Sequence, residues 1–310
     1  MDGIRRTMTS LGIVLADMEM KNPTMLASGI MGETGGSLRA MAKGGAGALV
    51  TKSIGSEPRQ GHKNPSLVEL DDGYLNAMGL PNPGIEDFGE ELKTALKADV
   101  PVIGSIFGSS PEEFTALAMK MELYGVQAVE LNLSCPHAKG YGMEMGVDPD
   151  IVSGIIKAVR DAVSVPIFAK LTPNTHRLID VAKAAESAGA DGIVAINTLK
   201  AMKVDVDMRR PVLSNKYGGL SGPAVRAVGV RCVYELYENL KIPVIGVGGI
   251  EDWRSAMEYI LAGAAAVQIG SGVGRRGAQV FGSICSGMEE YMSQNGYKNI
   301  TQLVGVAHDG

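Results

Sequence analysis

Cys135 ends an apolar run in the stretch LNLSCPH (131–137). A free cysteine has a pKa of about 8.5, so modest stabilisation of the thiolate yields a base or a nucleophile near neutral pH. Pro136 restricts Cys135 to extended backbone, which helps to aim the thiol. A lone cysteine is commonly a small buried apolar residue, and we interpret Cys232 and Cys285, which lie within helical patterns, in that way. Cys135 differs because its strand end should face a pocket.

Other apolar runs also end in polar side chains that could bind a small molecule. These residues are Lys52, Asn132 with Ser134, Lys170, and Asn197 with Thr198, and Asn76 joins them from a long loop. The set contains no cluster of histidines and carboxylates, which argues against a metal hydrolase, and we predict no metal site.

Two glycine-rich turns follow the last two apolar runs, at Gly248 with Gly249 and at Gly270 with Ser271. Backbone N–H groups in such turns can approach a phosphate closely. A glycine pair alone indicates only a tight turn. Together with the amides and lysines above, the two turns favour bound flavin mononucleotide (FMN), because lysine or asparagine can hydrogen-bond the flavin ring edge and stabilise negative charge on it.

Eight short apolar runs must position these residues, and we predict that all eight are strands of a (β/α)₈ TIM barrel. In such a barrel the chemistry lies at the carboxyl ends of the strands. A doubly wound sheet is the alternative, but no G-x-G-x-x-G follows the first run. The predicted strands are 24–29, 48–53, 100–108, 128–134, 166–173, 192–198, 243–249 and 265–271.

Helical patterns separate the strands and are clearest at 111–125, 150–163 and 178–190. The segments 54–99 and 199–242 exceed what simple connections need, so we predict hairpins or extra turns that carry active-site loops. No linker divides the chain, and we expect one FMN-binding barrel domain over residues 1–310.

Composition limits the class of protein. The net charge of −5 gives no basic footprint for nucleic acid. No run of about 18 apolar residues predicts a membrane span, and the first residues lack the apolar stretch of a signal peptide. Three widely spaced cysteines, with no C-x-x-C, fit a reducing cytoplasm and argue against an iron–sulfur cluster held by this chain alone.

Long motifs in a fixed order resemble the class 1 dihydroorotate dehydrogenases, and they are most similar to the catalytic subunit of the NAD-linked 1B type. The resemblance covers nearly the whole chain. It rests on NPTMLASG (22–29), TKSIGSEPRQG (51–61), NAMGLPNPG (76–84), ELNLSCPH (130–137), FAKLTPN (168–174), INTLKAM (196–202), YGGLSGPAVR (217–226) and IPVIGVGGI (242–250).

This resemblance implies a barrel with FMN at its mouth and Cys135 as the catalytic base, with Lys52 beside the reacting groups. The residues implied to contact FMN are Ser28, Lys52, Ser53, Asn132, Lys170, Ile196, Gly222, Gly248, Gly249, Gly270 and Ser271. Those implied to surround orotate are Lys52, Asn76, Ala77, Met78, Gly79, Leu80, Asn132, Asn197 and Thr198.

The implied reaction is the oxidation of dihydroorotate to orotate in pyrimidine (UMP) biosynthesis. The flavin takes a hydride from C6, and the Cys135 thiolate takes a proton from C5. We favour a base over a nucleophile because the other residues imply no acyl or phosphoryl chemistry. The 1B resemblance implies an iron–sulfur, FAD-containing electron-transfer subunit as partner, in a homodimer or heterotetramer, although a soluble acceptor would also serve.

Two positions depart from the family pattern and keep other functions open. Ser105 and His137 stand where the family commonly has asparagine. The SCPH form resembles the pyrimidine domain of dihydropyrimidine dehydrogenase, so a reductase acting on uracil or thymine is one alternative. A phosphate-binding barrel without redox activity is the other.

Overall fold

The computed structural model describes residues 9–134 and 145–310. Its strands, in chain order, are β1 (Ile13–Leu15), β2 (Met18–Met20), β3 (Thr24–Leu26), β4 (Ala48–Val50), β5 (Leu67–Leu70), β6 (Gly73–Asn76), β7 (Val102–Ile106), β8 (Ala128–Asn132), β9 (Ile167–Lys170), β10 (Gly192–Ala195), β11 (Leu199–Ala201), β12 (Val204–Asp205), β13 (Arg210–Pro211), β14 (Gly218–Ser221), β15 (Val244–Val247) and β16 (Ala264–Ile269).

The α-helices lie in the connections between the barrel strands and after the last of them. They are α1 (Gly35–Lys43), α2 (Ile85–Ala95), α3 (Pro111–Tyr124), α4 (Pro149–Arg160), α5 (Leu178–Ser187), α6 (Arg226–Asn239), α7 (Trp253–Leu261), α8 (Ser271–Arg276) and α9 (Val280–Asn295). Short 3₁₀ turns lie at Met145–Val147, Pro223–Val225, Ile300–Leu303 and Val306–His308. None of these helices combines the length and the apolar character needed to cross a membrane.

Eight parallel strands close into a barrel in the order β3, β4, β7, β8, β9, β10, β15 and β16. The closing pair is β16 with β3, in which Val267 lies opposite Thr24. Every barrel strand falls within one of the eight predicted runs, apart from one added residue at the start of β16, so the TIM-barrel prediction is confirmed and the doubly wound sheet is wrong. The runs lack polar alternation because a barrel strand is covered by helices outside and by side chains inside.

The three clearest predicted helices form at α3, α4 and α5, with ends that differ by a few residues. Ser110 caps α3 by accepting a hydrogen bond of 3.2 Å from the Glu113 N–H, and Pro111 occupies the first turn. Gly125 ends α3 with a φ of 94°, a left-handed conformation that glycine adopts without strain. Local chemistry therefore fixes both ends of α3.

The two long segments contain the predicted hairpins. The segment 54–99 contributes strands β5 and β6, and the segment 199–242 contributes β11 and β14. Together they form a four-stranded antiparallel sheet in the order β11-β14-β6-β5. Each segment then continues into a barrel helix, α2 or α6. The hairpin β1–β2 lies at the other end of the molecule, beside the starts of β7, β8 and β9. The antiparallel sheet is therefore the added element that can shape the carboxyl end of the barrel.

Candidate functional site

A cavity of about 450 Å³ opens at the carboxyl ends of β3, β10, β15 and β16, with the antiparallel sheet as its outer wall. Its walls contain no Asp or Glu among the described residues. Seven residues implied to contact FMN line it: Ser28, Lys170, Ile196, Gly248, Gly249, Gly270 and Ser271. Other lining residues that the sequence did not single out include Ile30, Leu67, Tyr74, Leu220, Val225 and Gly274.

The amino group of Lys170 enters this first cavity from the barrel interior, and its residue is 4% exposed. Its Nζ donates to Ser28 Oγ at 3.1 Å and to Gln268 Oε1 at 3.3 Å. It also lies 3.4 Å from Glu130 Oε1. Lys170 therefore places a buried cation at the base of a cavity that is otherwise lined by neutral groups.

The glycine turn after β15 is held from behind by a buried tyrosine. Tyr259 Oη donates to the Gly248 carbonyl at 2.7 Å, and burial raises the pKa of this phenol, so it remains a donor. Gly249 has a φ of 68°, and a Cβ added there would lie 2.6 Å from the Gly222 carbonyl oxygen. Gly222 thus packs against the turn, and does not itself line the first cavity.

A second cavity of about 430 Å³ adjoins the first and shares Asn76, Met78, Asn197 and Thr198 with it. The residues implied to bind orotate that line it are Asn76, Ala77, Met78, Gly79, Leu80, Asn197 and Thr198. The sequence did not single out its cationic lining residues, Arg59 and Lys200, or the titratable His62. No Asp or Glu lines this cavity in the described parts of the chain, so it suits a small, anionic, amide-bearing molecule.

Polar side chains from four strand ends join in one hydrogen-bonded chain. Ser105 Oγ and Ser53 Oγ lie 2.8 Å apart, and Asn132 Nδ2 donates to Ser53 Oγ at 3.2 Å. Ser134 Oγ donates to Asn132 Oδ1 at 2.6 Å and accepts a hydrogen bond from Asn197 Nδ2. Ser105, although it replaces the usual asparagine, is thereby connected to Asn132. Neither Ser53 nor Asn132 lines either cavity. Asn132 supports Ser134 of the second cavity, and Ser53 supports Asn132.

Lys52 follows the carboxyl end of β4. It is buried, it lines neither cavity, and its ammonium forms an ion pair with Glu33 from the loop after β3. The Glu33 side chain is 61% exposed, so its carboxylate stays hydrated even when it is not paired with Lys52. No spacing rule indicates this partner, because Glu33 and Lys52 come from different loops.

The chain contains two further thiols that the structure describes, and both lie away from the cavities. Cys232 is buried in α6, and burial raises the pKa of its thiol. Burial also raises the pKa of the Cys285 thiol in α9, to about 11. Neither is suited to act as a thiolate near neutral pH. Cys135 and His137 lie outside the described residues; Ser134, which precedes Cys135 in the chain, lines the second cavity.

Comparison with known proteins is consistent with this geometry. Residues 10–292 match the family model described as dihydroorotate dehydrogenase. The chain is also similar to proteins named "Dihydroorotate dehydrogenase B (NAD(+)), catalytic subunit". The one from Methanocaldococcus jannaschii is 51% identical over 95% of this chain and 97% of that protein. The one from Methanocella arvoryzae is 53% identical over 94% and 95%, and the one from Pyrococcus abyssi is 52% identical over 96% and 99%.

Proposed function

Because this chain belongs to the dihydroorotate dehydrogenase family of oxidoreductases, we propose that it oxidises dihydroorotate with FMN in the first cavity and substrate in the second. The reaction belongs to pyrimidine biosynthesis. The observation that carries the assignment of the two ligands is that the cavities adjoin, share Asn76, Asn197 and Thr198, and have no acidic lining among the described residues. A neutral amide boundary between two such cavities suits a flavin beside a pyrimidine carboxylate.

The residues of the first cavity fit a flavin with one terminal phosphate. Its volume lies within the range of about 300–1,000 Å³ that is usual for cofactor sites. The glycine turns at Gly248–Gly249 and Gly270–Ser271 line this cavity, and backbone N–H groups in such turns can approach a phosphate closely. The Lys170 ammonium would stabilise negative charge on a bound flavin ring. When bound, the flavin supplies the acceptor for the C6 hydride.

The residues of the second cavity would bind the substrate. Amide groups of Asn76 and Asn197 match the donors and acceptors of a pyrimidine imide, and Arg59 and Lys200 favour its carboxylate. We propose that the Cys135 thiolate removes the proton, because it directly follows Ser134 of this cavity in the chain and the described thiols, Cys232 and Cys285, lie on helices away from the cavities. We propose that the positive charge of Lys52, which lies outside both cavities, also supports the site.

Electrons must leave the flavin after each turnover. The relatives are named catalytic subunits of an NAD(+) enzyme, so we propose that a separate iron–sulfur, FAD-containing subunit receives them. We propose that this chain forms a homodimer by itself or a heterotetramer with that subunit. We further propose that the 310 residues act as one FMN-binding barrel domain and that the enzyme works in the cytoplasm, as the odd number of widely spaced cysteines favours.

We expect the purified protein to carry FMN and not FAD. One phosphate suits the two glycine turns, whereas the pyrophosphate of FAD commonly uses a G-x-G-x-x-G turn that this sequence lacks after its first strand. Heat release of the cofactor followed by chromatography against both standards measures this. Recovery of FAD, or no flavin after saturation with FMN, would contradict the assignment.

We expect kcat/KM for dihydroorotate to exceed that for dihydrouracil by at least about 100-fold, because a site built around the carboxylate leaves its cations unpaired when that group is absent. Steady-state assays with an artificial electron acceptor compare the two substrates. Arg59→Gln should narrow the ratio, and Lys157→Gln, which changes an exposed lysine on α4, serves as the control. Equal turnover of both substrates would favour the uracil and thymine reductase instead.

A further inference from the structure

We propose that Glu130 and Gln268 are positioning residues that fix the Lys170 ammonium, and the net charge, at the base of the first cavity. This inference rests on the proposed function, since it concerns the flavin that the cavity would hold. Neither residue lines the cavity, so neither would touch the cofactor.

Glu130 and Gln268 meet across the barrel interior. Glu130 lies on β8 and Gln268 on β16, which are opposite each other in the order of the closed barrel. Gln268 Nε2 donates to Glu130 Oε2 at 2.6 Å, while Gln268 Oε1 accepts from Lys170 Nζ at 3.3 Å. The Gln268 amide therefore bridges the Glu130 carboxylate and the Lys170 ammonium. Only one orientation of this amide places its NH₂ group at the carboxylate and its oxygen at the ammonium.

These groups are withdrawn from water. Glu130 is 0% exposed and Gln268 is 1% exposed. Barrel interiors are ordinarily filled by branched apolar side chains, and apolar replacements of buried ion pairs are often at least as stable. Stability alone thus gives no reason for a charged pair and an amide here, beneath a cavity.

One oxygen of Glu130 depends on Lys170 for compensation. Among the described residues, Glu130 Oε1 has no hydrogen-bond donor, but Lys170 Nζ lies 3.4 Å away as an ion-pair partner. The Lys170 ammonium donates its hydrogen bonds to Ser28 and Gln268 and attracts the Glu130 carboxylate by charge alone. Glu130 thereby pairs with Lys170 and offsets part of the positive potential that reaches the cavity.

Removal of the Glu130 charge should make the cavity base more positive. A more positive base favours reduced flavin, which carries more negative charge. In Glu130→Gln we expect the equilibrium between reduced and oxidised bound flavin to shift toward reduced by about tenfold, which for a two-electron couple is about 30 mV more positive. The measurement is equilibration of the loaded protein with a redox dye of known potential at pH 7.

Gln268→Met tests the positioning role without changing charge. It removes both amide hydrogen bonds, so Lys170 is no longer held in place, and we expect the contact between Lys170 and FMN to be weakened. The dissociation constant for FMN should rise about fivefold, the usual effect of one lost hydrogen bond, measured by flavin fluorescence titration of apoprotein. Asp191→Asn is the control, because Asp191 pairs with Arg160 at the opposite end of the barrel. It should lower the melting temperature and leave potential and FMN affinity unchanged.

The outcomes separate the two proposals. If wild-type protein binds no flavin, the proposed function fails. If it binds FMN but Glu130→Gln leaves the potential within the control's range or lowers it, the charge role is overturned. An FMN affinity in Gln268→Met equal to wild type overturns the positioning role, whether or not Glu130→Gln folds.

Discussion

Replacement of Cys135 by alanine should lower the rate of flavin reduction by dihydroorotate about 10²- to 10⁴-fold at neutral pH, the usual effect of removing a general base. The fold and the bound FMN should remain. Cys135→Ser should keep a little activity that rises with pH, because a hydroxyl is a far weaker base. The wild-type rate should rise through one ionisation as the thiolate forms, since the deprotonated form is the active one. Anaerobic stopped-flow measurement of flavin bleaching gives all three.

Cys285→Ala is the matched control for this experiment. That thiol is half-buried in α9, away from the cavities, with its pKa raised to about 11, so its loss should leave the bleaching rate unchanged. Bleaching near the wild-type rate in Cys135→Ala would mean that another group takes the proton. His137 would then be tested first, by His137→Asn, which restores the residue common in the family.

Lys52→Ala should slow flavin reduction by about 10- to 100-fold, because we propose that its positive charge supports the site by about as much as one charge-assisted hydrogen bond, about 1.5–3 kcal/mol. The melting temperature should change little, because the partner that is left behind, Glu33, is largely exposed and stays hydrated. Stopped-flow bleaching and thermal melting are measured on the same preparation.

Lys120→Ala removes a second lysine that pairs with a glutamate, Glu86, on the outer helices. It reports the effect of breaking such a pair away from the cavities, and should leave bleaching unchanged. If Lys52→Ala bleaches normally but melts at a lower temperature, Lys52 is structural, and its ion pair with Glu33 is its main role.

The barrel could be predicted from the sequence because each strand is a continuous apolar run and each run has a local signature. The gathering of Lys170, Asn197 and Gly248 was also predictable, since parallel strands end at one rim. The contact of Glu130 with Gln268 was not, because 138 positions separate them and no periodicity links them. The pairing of Lys52 with Glu33 depends on loop conformation, and the register of the antiparallel sheet depends on two segments that meet only in the folded chain.

The central claim is that this chain transfers a hydride from dihydroorotate to its bound flavin. Anaerobic titration of the yellow protein with dihydroorotate tests it most directly, with flavin absorbance and orotate formation followed together. We expect complete bleaching with one orotate formed per flavin, and far slower bleaching by dihydrouracil. An absorbance that stays constant with excess dihydroorotate, or bleaching by dihydrouracil alone, would contradict the claim.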